Sequence, residues 1–324
     1  MRQVRRTATA VIPVPLPPLT DRAARILLEG LVDYAGLFPP ASLAMANAVR
    51  NYAHYRAAGT GWMLGRFICP ASSLEQFSQA ADPLLPRDAG AIPWRLSVTG
   101  SGDMAADLAQ VAAFNERHRV CFEECGATVD SYECKVGSAH DVEQVAAAIP
   151  DTLATYLEVP LDGDIEGLVA AIARVGRRAK IRTGGTTANL IPDPARIVRF
   201  FAACAAHGAI AKATAGLHHP LRGTYRLTYE PDAATGRMYG FLNVALAAAL
   251  LGNGGSEADA VRLLDEADAG AITFDEMQIT WHGPDHAVTF PRAALQRLRE
   301  RGMVSFGSCS FTEPVDEARA LGWL

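Results

Sequence analysis

Three of the 30 Lys and Arg residues in this 324-residue chain are lysine: Lys135, Lys180 and Lys212. Arginine serves for solubility, ion pairs and helix ends, but it cannot give up its proton, because its pKa stays above about 12. Lysines kept in so arginine-rich a chain are therefore candidates for chemistry that needs a free amine. Each falls in a short β-rich run: Tyr132-Glu133-Cys134-Lys135, Lys180-Ile181-Arg182 and Lys212-Ala213-Thr214. Side chains alternate across a strand, so Lys135 takes Glu133 to its own face, Lys180 takes Arg182, and Lys212 takes Thr214. Glu158, in Tyr156-Leu157-Glu158-Val159-Pro160, can join them, as can Arg95 and Ser97 from an earlier run. Several cations around one or two carboxylates suit an anionic substrate, and by repulsion they lower the pKa of a neighbouring lysine. Ala211, Ala213 and Ala215 around Lys212 push the same way. The structural reading of these residues is that the lysines pair with Glu133 and Glu158 in a polar interior, since buried charge is kept when paired or functional.

Two histidines, His218 and His219, follow the Lys212 run in Gly216-Leu217-His218-His219-Pro220-Leu221-Arg222. Histidines there suit proton transfer, with Arg222 as a further anion contact. They could also ligate a metal with Glu133 or Glu158, but no H-E-x-x-H helix supports this, and no metal or cofactor is expected. Three turns offer backbone N–H groups to an anion: Thr183-Gly184-Gly185-Thr186, Ala215-Gly216 and Gly307-Ser308-Cys309-Ser310. The last precedes a helix start near Thr312, where anions are favoured. Gly184, Gly185, Gly216, Ser308 and Ser310 are thus candidate substrate contacts beside Arg182 and Thr214.

The elements that must position these residues alternate between short strands and amphipathic helices, the pattern of parallel βα units. The strand candidates are 34–38, 64–69, 94–99, 131–136, 155–160, 179–183, 209–214 and 303–308. Helical stretches cover 42–58, 73–81, 103–117, 141–149, 164–175 and 194–207, several opened by a capping Ser or Asp. Eight such strands predict a single-domain α/β fold, a (β/α)8 barrel over 1–324, with functional groups at the C-terminal ends of the strands. An open doubly wound sheet would want a G-x-G-x-x-G turn after its first strand, which is lacking. A long excursion, 217–302, separates strands seven and eight and reads as a lid or an interface. It holds an apolar helix (239–251) that could serve either a subunit contact in a homo-oligomer or packing on the barrel, then a second helix (256–267), β-like pieces (271–274, 278–281 and 287–290) and a last helix (291–301). Residues 1–19, with four prolines, read as an arm along the barrel.

Composition narrows the partners. Hydrophobic residues make up 49% and charged residues 20%, a globular balance, and a net charge of −5 gives no reason to expect nucleic acid. No apolar run approaches the roughly 20 residues of a membrane helix. Six scattered cysteines suit a reducing, cytoplasmic setting, and Cys121/Cys125 lacks a second pair at zinc spacing.

Lys212-Ala213-Thr214-Ala215-Gly216 resembles the K-x-[ST]-x-G strand motif of the deoxyribose-phosphate aldolase family of class I aldolases. The resemblance covers about residues 179–216. It implies that Lys212 forms a Schiff base, that Lys180 tunes it and that Glu133 moves protons. The two lysine strands come in the reverse of the family's order, and the acid is Glu in place of Asp. The expectation is an enzyme, a carbon–carbon lyase or aldolase acting on a small carbonyl compound bearing a carboxylate or phosphate. In it Lys212 attacks the carbonyl, Lys180 and Arg182 hold the anion, and Glu133 or Glu158 works with His218 or His219. Two alternatives stand beside it. One is a metal-assisted isomerase or hydrolase with Glu133, Glu158 and a histidine as ligands; the other is a non-enzymatic ligand-binding barrel.

Overall fold

The computed structural model describes residues 22–87, 91–120 and 126–324. The expected arm (1–19) and the Cys121/Cys125 pair lie outside the described residues. Seven strands alternate with helices in the first two-thirds of the chain: β1 (Val32–Tyr34), β2 (Leu64–Pro70), β3 (Trp94–Thr99), β4 (Ala127–Lys135), β5 (Ala154–Glu158), β6 (Arg178–Arg182) and β7 (Ala211–Thr214). The excursion contributes the hairpin β8 (Gly223–Arg226) and β9 (Thr235–Met238), then an antiparallel sheet of β10 (Ile272–Phe274), β11 (Gln278–His282) and β12 (Ala287–Pro291). The chain then returns to the barrel as β13 (Met303–Ser308). Strands β1–β7 and β13 close in the order β1-β13-β7-β6-β5-β4-β3-β2, with every pairing parallel. The fold is a (β/α)8 barrel.

Helices cover the outside of the wall and bury apolar residues against it. Ser138 and Asp141 form a reciprocal capping box at helix Ala139–Ala148, and Asp193 caps helix Pro194–His207, whose end is turned by Gly208 at φ 69°. An aromatic cluster fills the space outside β1–β3. The Tyr52 ring lies 5.1 Å from Trp94 and 5.4 Å from Phe67, and Phe67 lies 5.1 Å from Phe77. Such offset and edge-on pairs add to the area they bury.

The excursion supplies the missing wall helix. Helix Phe241–Gly252 buries every residue from Phe241 to Leu251, and Phe241 stacks on Phe306 of β13 at 5.1 Å. It packs between helices Pro194–His207 and Arg292–Arg301. The apolar helix thus packs on the barrel within one chain. The expected first strand at 34–38 is shifted: β1 starts at Val32, and Tyr34 is its last residue. Helix Ala23–Leu28 and the β8/β9 hairpin had no counterpart in the sequence reading.

Candidate functional site

The barrel interior is charged where parallel barrels ordinarily pack branched aliphatic side chains. Lys180 lies in register with Glu158 on one side and Lys212 on the other, and Lys212 lies in register with Ser305 of β13. Two-residue alternation then turns Asp33, Ser97, Ser131, Glu133, Glu158, Lys180, Lys212 and Ser305 inward, where all are buried. Five of them form one unbroken ionic chain. Asp33 Oδ2 lies 2.6 Å from Lys212 Nζ, and Lys212 Nζ lies 2.7 Å from Glu133 Oε1. Glu133 Oε2 lies 2.7 Å from Lys180 Nζ, and Lys180 Nζ lies 3.0 Å from Glu158 Oε2.

The two innermost carboxylates accept further hydrogen bonds as well. Ser97 Oγ donates to Glu133 Oε1 at 2.6 Å, and Ser305 Oγ donates to Asp33 Oδ2 at 2.8 Å. Asp33 Oδ1 accepts the backbone N–H of Arg66 at 2.7 Å. Burial of five charges is tolerable only with this degree of pairing, because an isolated buried ion would neutralise itself. Burial pushes Glu133 up, yet Lys180 and Lys212 outweigh it and hold the carboxyl well below the ordinary range. Burial likewise pushes both lysines down, and the carboxylates outweigh it. Asp33 and Glu133 hold Lys212 above the usual lysine range, and Glu133 and Glu158 do so for Lys180. The expectation that neighbouring cations depress these amines is therefore overturned. Each ammonium touches carboxylates, and attraction over 2.6–3.0 Å exceeds the lysine–lysine repulsion.

The chain is graded in depth. Side-chain exposure is 0% at Lys212 and 1–2% at Asp33 and Glu133, rising to 9% at Lys180 and 10% at Glu158. The Lys180–Glu158 end therefore faces the mouth, and Lys212 lies beneath it. Beyond this end, Lys135 and Arg182 terminate their strands with exposed side chains that make no hydrogen bond or ion pair to any described residue. The two rim cations stand above the buried chain and are not members of it. Thr214 is half-buried at the end of β7, and its carbonyl accepts the Thr183 N–H at 2.8 Å. Arg95 lies at the other end of β3 and donates to Asp130 at 2.6 Å, away from Glu133.

Other expected contacts have local structural roles. A Cβ on Gly184 would lie 3.1 Å from Gly216 Cα, and one on Gly185 would lie 2.5 Å from Leu190 Cδ1, so these glycines answer to packing. Gly216 and Ala215 both take positive φ, 76° and 64°, where glycine is at ease and alanine is not. Thr183 Oγ1 secures this turn by donating to the Ala215 carbonyl at 2.8 Å. Arg222 is buried in the excursion, bonded to Asp265 and the Arg237 carbonyl and stacked 3.9 Å over Tyr239. It is not a mouth residue.

His218 and His219 join a separate group, and none of their contacts reaches the lysine chain. His219 Nδ1 lies 2.7 Å from Glu317 Oε1, and its ring stacks on Tyr225 at 3.5 Å. His218 Nδ1 lies 3.3 Å from Glu313 Oε2 and 3.4 Å from Ser308 Oγ, and Cys309 Sγ lies 3.8 Å from Nδ1 and 3.9 Å from Nε2. Burial pushes the His218 imidazole down, but Cys309 and Glu313 outweigh it and lift it to about 9. Ser310 Oγ accepts the Glu313 N–H at 3.2 Å, which fastens the start of helix Thr312–Ala320.

Asp33, Cys309, Glu313 and Tyr229 were absent from the sequence-derived site. Asp33 was lost with the misplaced start of β1; reading Val32-Asp33-Tyr34 as a strand turns Asp33 opposite to its apolar neighbours and would have found it. No signal in the sequence pairs Cys309 with His218 across 91 residues. Among the described residues no helix is long and apolar enough to cross a membrane. No cluster of three or more His, Cys, Asp or Glu among them is arranged to hold a metal ion.

Comparison with family models finds no match, and neither does comparison with curated proteins. Among solved structures the chain is similar to the Bacillus cereus spore cortex-lytic enzyme SleL at 11% identity, over 91% of this chain and 74% of that one, with a TM-score of 0.35.

Proposed function

We propose that the barrel is a lysine-dependent carbon–carbon lyase or aldolase acting on a small carbonyl compound that carries a carboxylate or phosphate. The observation that supports this best is the graded ionic chain, in which an amine flanked by two carboxylates stands at the end nearest the mouth. The depth order favours Lys180 as the amine that meets substrate, with Lys212 and Asp33 beneath it as positioning residues. This exchanges the roles that the K-x-[ST]-x-G resemblance implies for the two lysines.

The chemistry follows from the contacts. The Lys180 ammonium passes a proton to Glu158, 3.0 Å away. The free amine adds to the carbonyl carbon, and loss of water leaves an iminium that draws electrons from the bond to be broken. Glu133 stays ionised between the Lys212 ammonium and the Lys180 nitrogen and balances the iminium charge. Exposed Arg182 and Lys135, unpaired at the rim, suit the substrate's anionic group. Because the carboxylates hold Lys180 protonated at rest, amine capture should speed up as pH rises from 7 towards 9.

The metal-assisted alternative needs Glu133, Glu158 and a histidine at one point. His218 and His219 are committed to Glu313 and Glu317, and ammonium groups already lie on both glutamates. The Schiff-base reading is tested by borohydride reduction in the presence of small keto acids and aldehydes, followed by peptide mass spectrometry. A reduced adduct on Lys180 is expected and should be lost in Lys180→Arg. No adduct on Lys180 or Lys212 with any carbonyl tried would overturn the reading.

A further inference from the structure

We propose that Cys309, His218 and Glu313 form a second reactive centre, a thiol–imidazole–carboxylate triad that accepts the acyl group of an activated ester or thioester. The three residues come from different places: His218 from the segment after β7, Cys309 from the turn after β13, and Glu313 from the first turn of helix Thr312–Ala320. Packing of the two segments against each other brings them together. The arrangement brings a nucleophile, a base and a carboxylate that can orient the base within reach of one another. Glu313 Oε2 lies 3.3 Å from Nδ1 and holds the ring, and Cys309 Sγ lies 3.8 Å from Nδ1 and 3.9 Å from Nε2, within reach of either nitrogen. Glu313 is itself held, because Tyr229 Oη donates to its Oε2 at 2.8 Å, and the same hydroxyl lies 3.6 Å from Cys309 Sγ.

The other described free cysteines lack such surroundings. Burial pushes the thiols of Cys69 and Cys134 up to about 12 and that of Cys204 higher still, and none of the three has an imidazole within hydrogen-bond reach. Cys309 stands apart in having both a base and an orienting acid beside it. The position also suits entry of a ligand. Although Cys309 and His218 are buried, Tyr229, whose hydroxyl lies 3.6 Å from the sulfur, is 52% exposed and links the group to the surface.

The reaction balances without a further reagent but water. His218 takes the thiol proton as the Cys309 sulfur attacks the acyl carbon. The S–C bond forms as the C–O or C–S bond to the leaving group breaks, and the departing oxygen or sulfur takes the proton from His218. Water, deprotonated by His218, then cleaves the acyl-thioester, releasing the carboxylic acid and restoring the thiol.

The probe is p-nitrophenyl acetate with the full chain at pH 7, read by p-nitrophenol release and by peptide mass spectrometry after acid quench. The expected result is an acetyl group on Cys309 and none on Cys69, Cys134 or Cys204, with release at least 10-fold slower in His218→Asn. Asparagine is smaller than histidine and does not close access, so a rate that is unchanged or faster in that variant would overturn the triad. Glu313→Gln keeps the volume and should slow release several-fold, and it serves if His218→Asn fails to fold. Acetyl found only on lysine, or release indifferent to both variants, would also overturn it. Borohydride trapping on Lys180 is a separate readout that neither variant should change.

Discussion

Replacing Lys212 by Met gives the sharpest test of the buried ionic chain. The parent chain sets three carboxylates against two ammoniums, and Lys212 supplies the only ammonium in contact with Asp33. Methionine fills much the same volume but leaves Asp33 with Ser305 and one backbone N–H, and Glu133 with Lys180 and Ser97. Removing one partner of a buried pair costs about 3–5 kcal/mol, because a charge remains without its counterion. At roughly 2–4 °C per kcal/mol for a large domain, melting should fall by about 6–20 °C at pH 7.5. The pH dependence carries the diagnosis. A carboxylate stripped of its cation in a buried place has its folded pKa raised above the unfolded value, so its cost is present at high pH and disappears on acidification. In the parent, Glu133 is held low, and its contribution is constant above its unfolded pKa of about 4.3. The difference between variant and parent should therefore shrink from pH 8 to pH 5. Adding Asp33→Asn to Lys212→Met removes the stranded charge and should recover most of the loss, a coupling that a double-mutant cycle measures. Urea denaturation across pH 5–8 is the assay. A single-variant loss under about 1 kcal/mol, or a loss independent of pH, would refute the account of buried pairing.

Two further outcomes follow from the same coordinates. Stability of the parent should fall as pH drops below the unfolded glutamate pKa towards the lower folded one, and Glu133→Gln should flatten that acid limb in pH-dependent melting. Asn243 is fully buried, with its Oδ1 accepting the Arg222 N–H at 2.8 Å and its Nδ2 donating to the Leu263 and Glu266 carbonyls at 2.8 and 2.9 Å. Asn243→Leu strands two backbone groups, the Arg222 N–H and the Glu266 carbonyl, while the Leu263 carbonyl keeps the Glu266 N–H at 3.3 Å. At about 1–3 kcal/mol for a buried group left unpaired it should cost on the order of 3 kcal/mol by urea denaturation; a loss below about 1 kcal/mol would show that water or relaxation satisfies them.

How far the sequence carries the reader depends on the distance between the deciding residues. Lys180, Lys212, Glu133 and Glu158 were legible because two-residue alternation is local, and a strand edge misjudged by one or two residues leaves the alternation intact. Asp33 shows where this fails: β1 is three residues long, and starting it at Tyr34 discards the acidic partner. Lys135 and Arg182 share the inward face with Glu133 and Lys180, but at a strand end the wall stops and solvent begins, which alternation cannot report. The histidines were drawn to the lysines by chain proximity. Their partners Glu313 and Glu317 lie about a hundred residues further on, on the helix after β13, and only the fold brings them together. Helix Ala23–Leu28 is too short for its periodicity to register. The β8/β9 hairpin has four-residue strands whose side chains alternate in exposure around a loop rich in polar residues.

The ionic chain also bears on the order in which the protein takes shape. Asp33 and Lys212 are 179 residues apart, and Glu133 precedes the same lysine by 79. As the polypeptide leaves the ribosome, three acids destined for the interior are made before either amine that neutralises them. A half-barrel ending before β6 would have to enclose uncompensated negative charge, so its inward face should stay hydrated until β6 and β7 arrive. Closure is then coupled to late synthesis, and the protein should resist division into two independently folding halves.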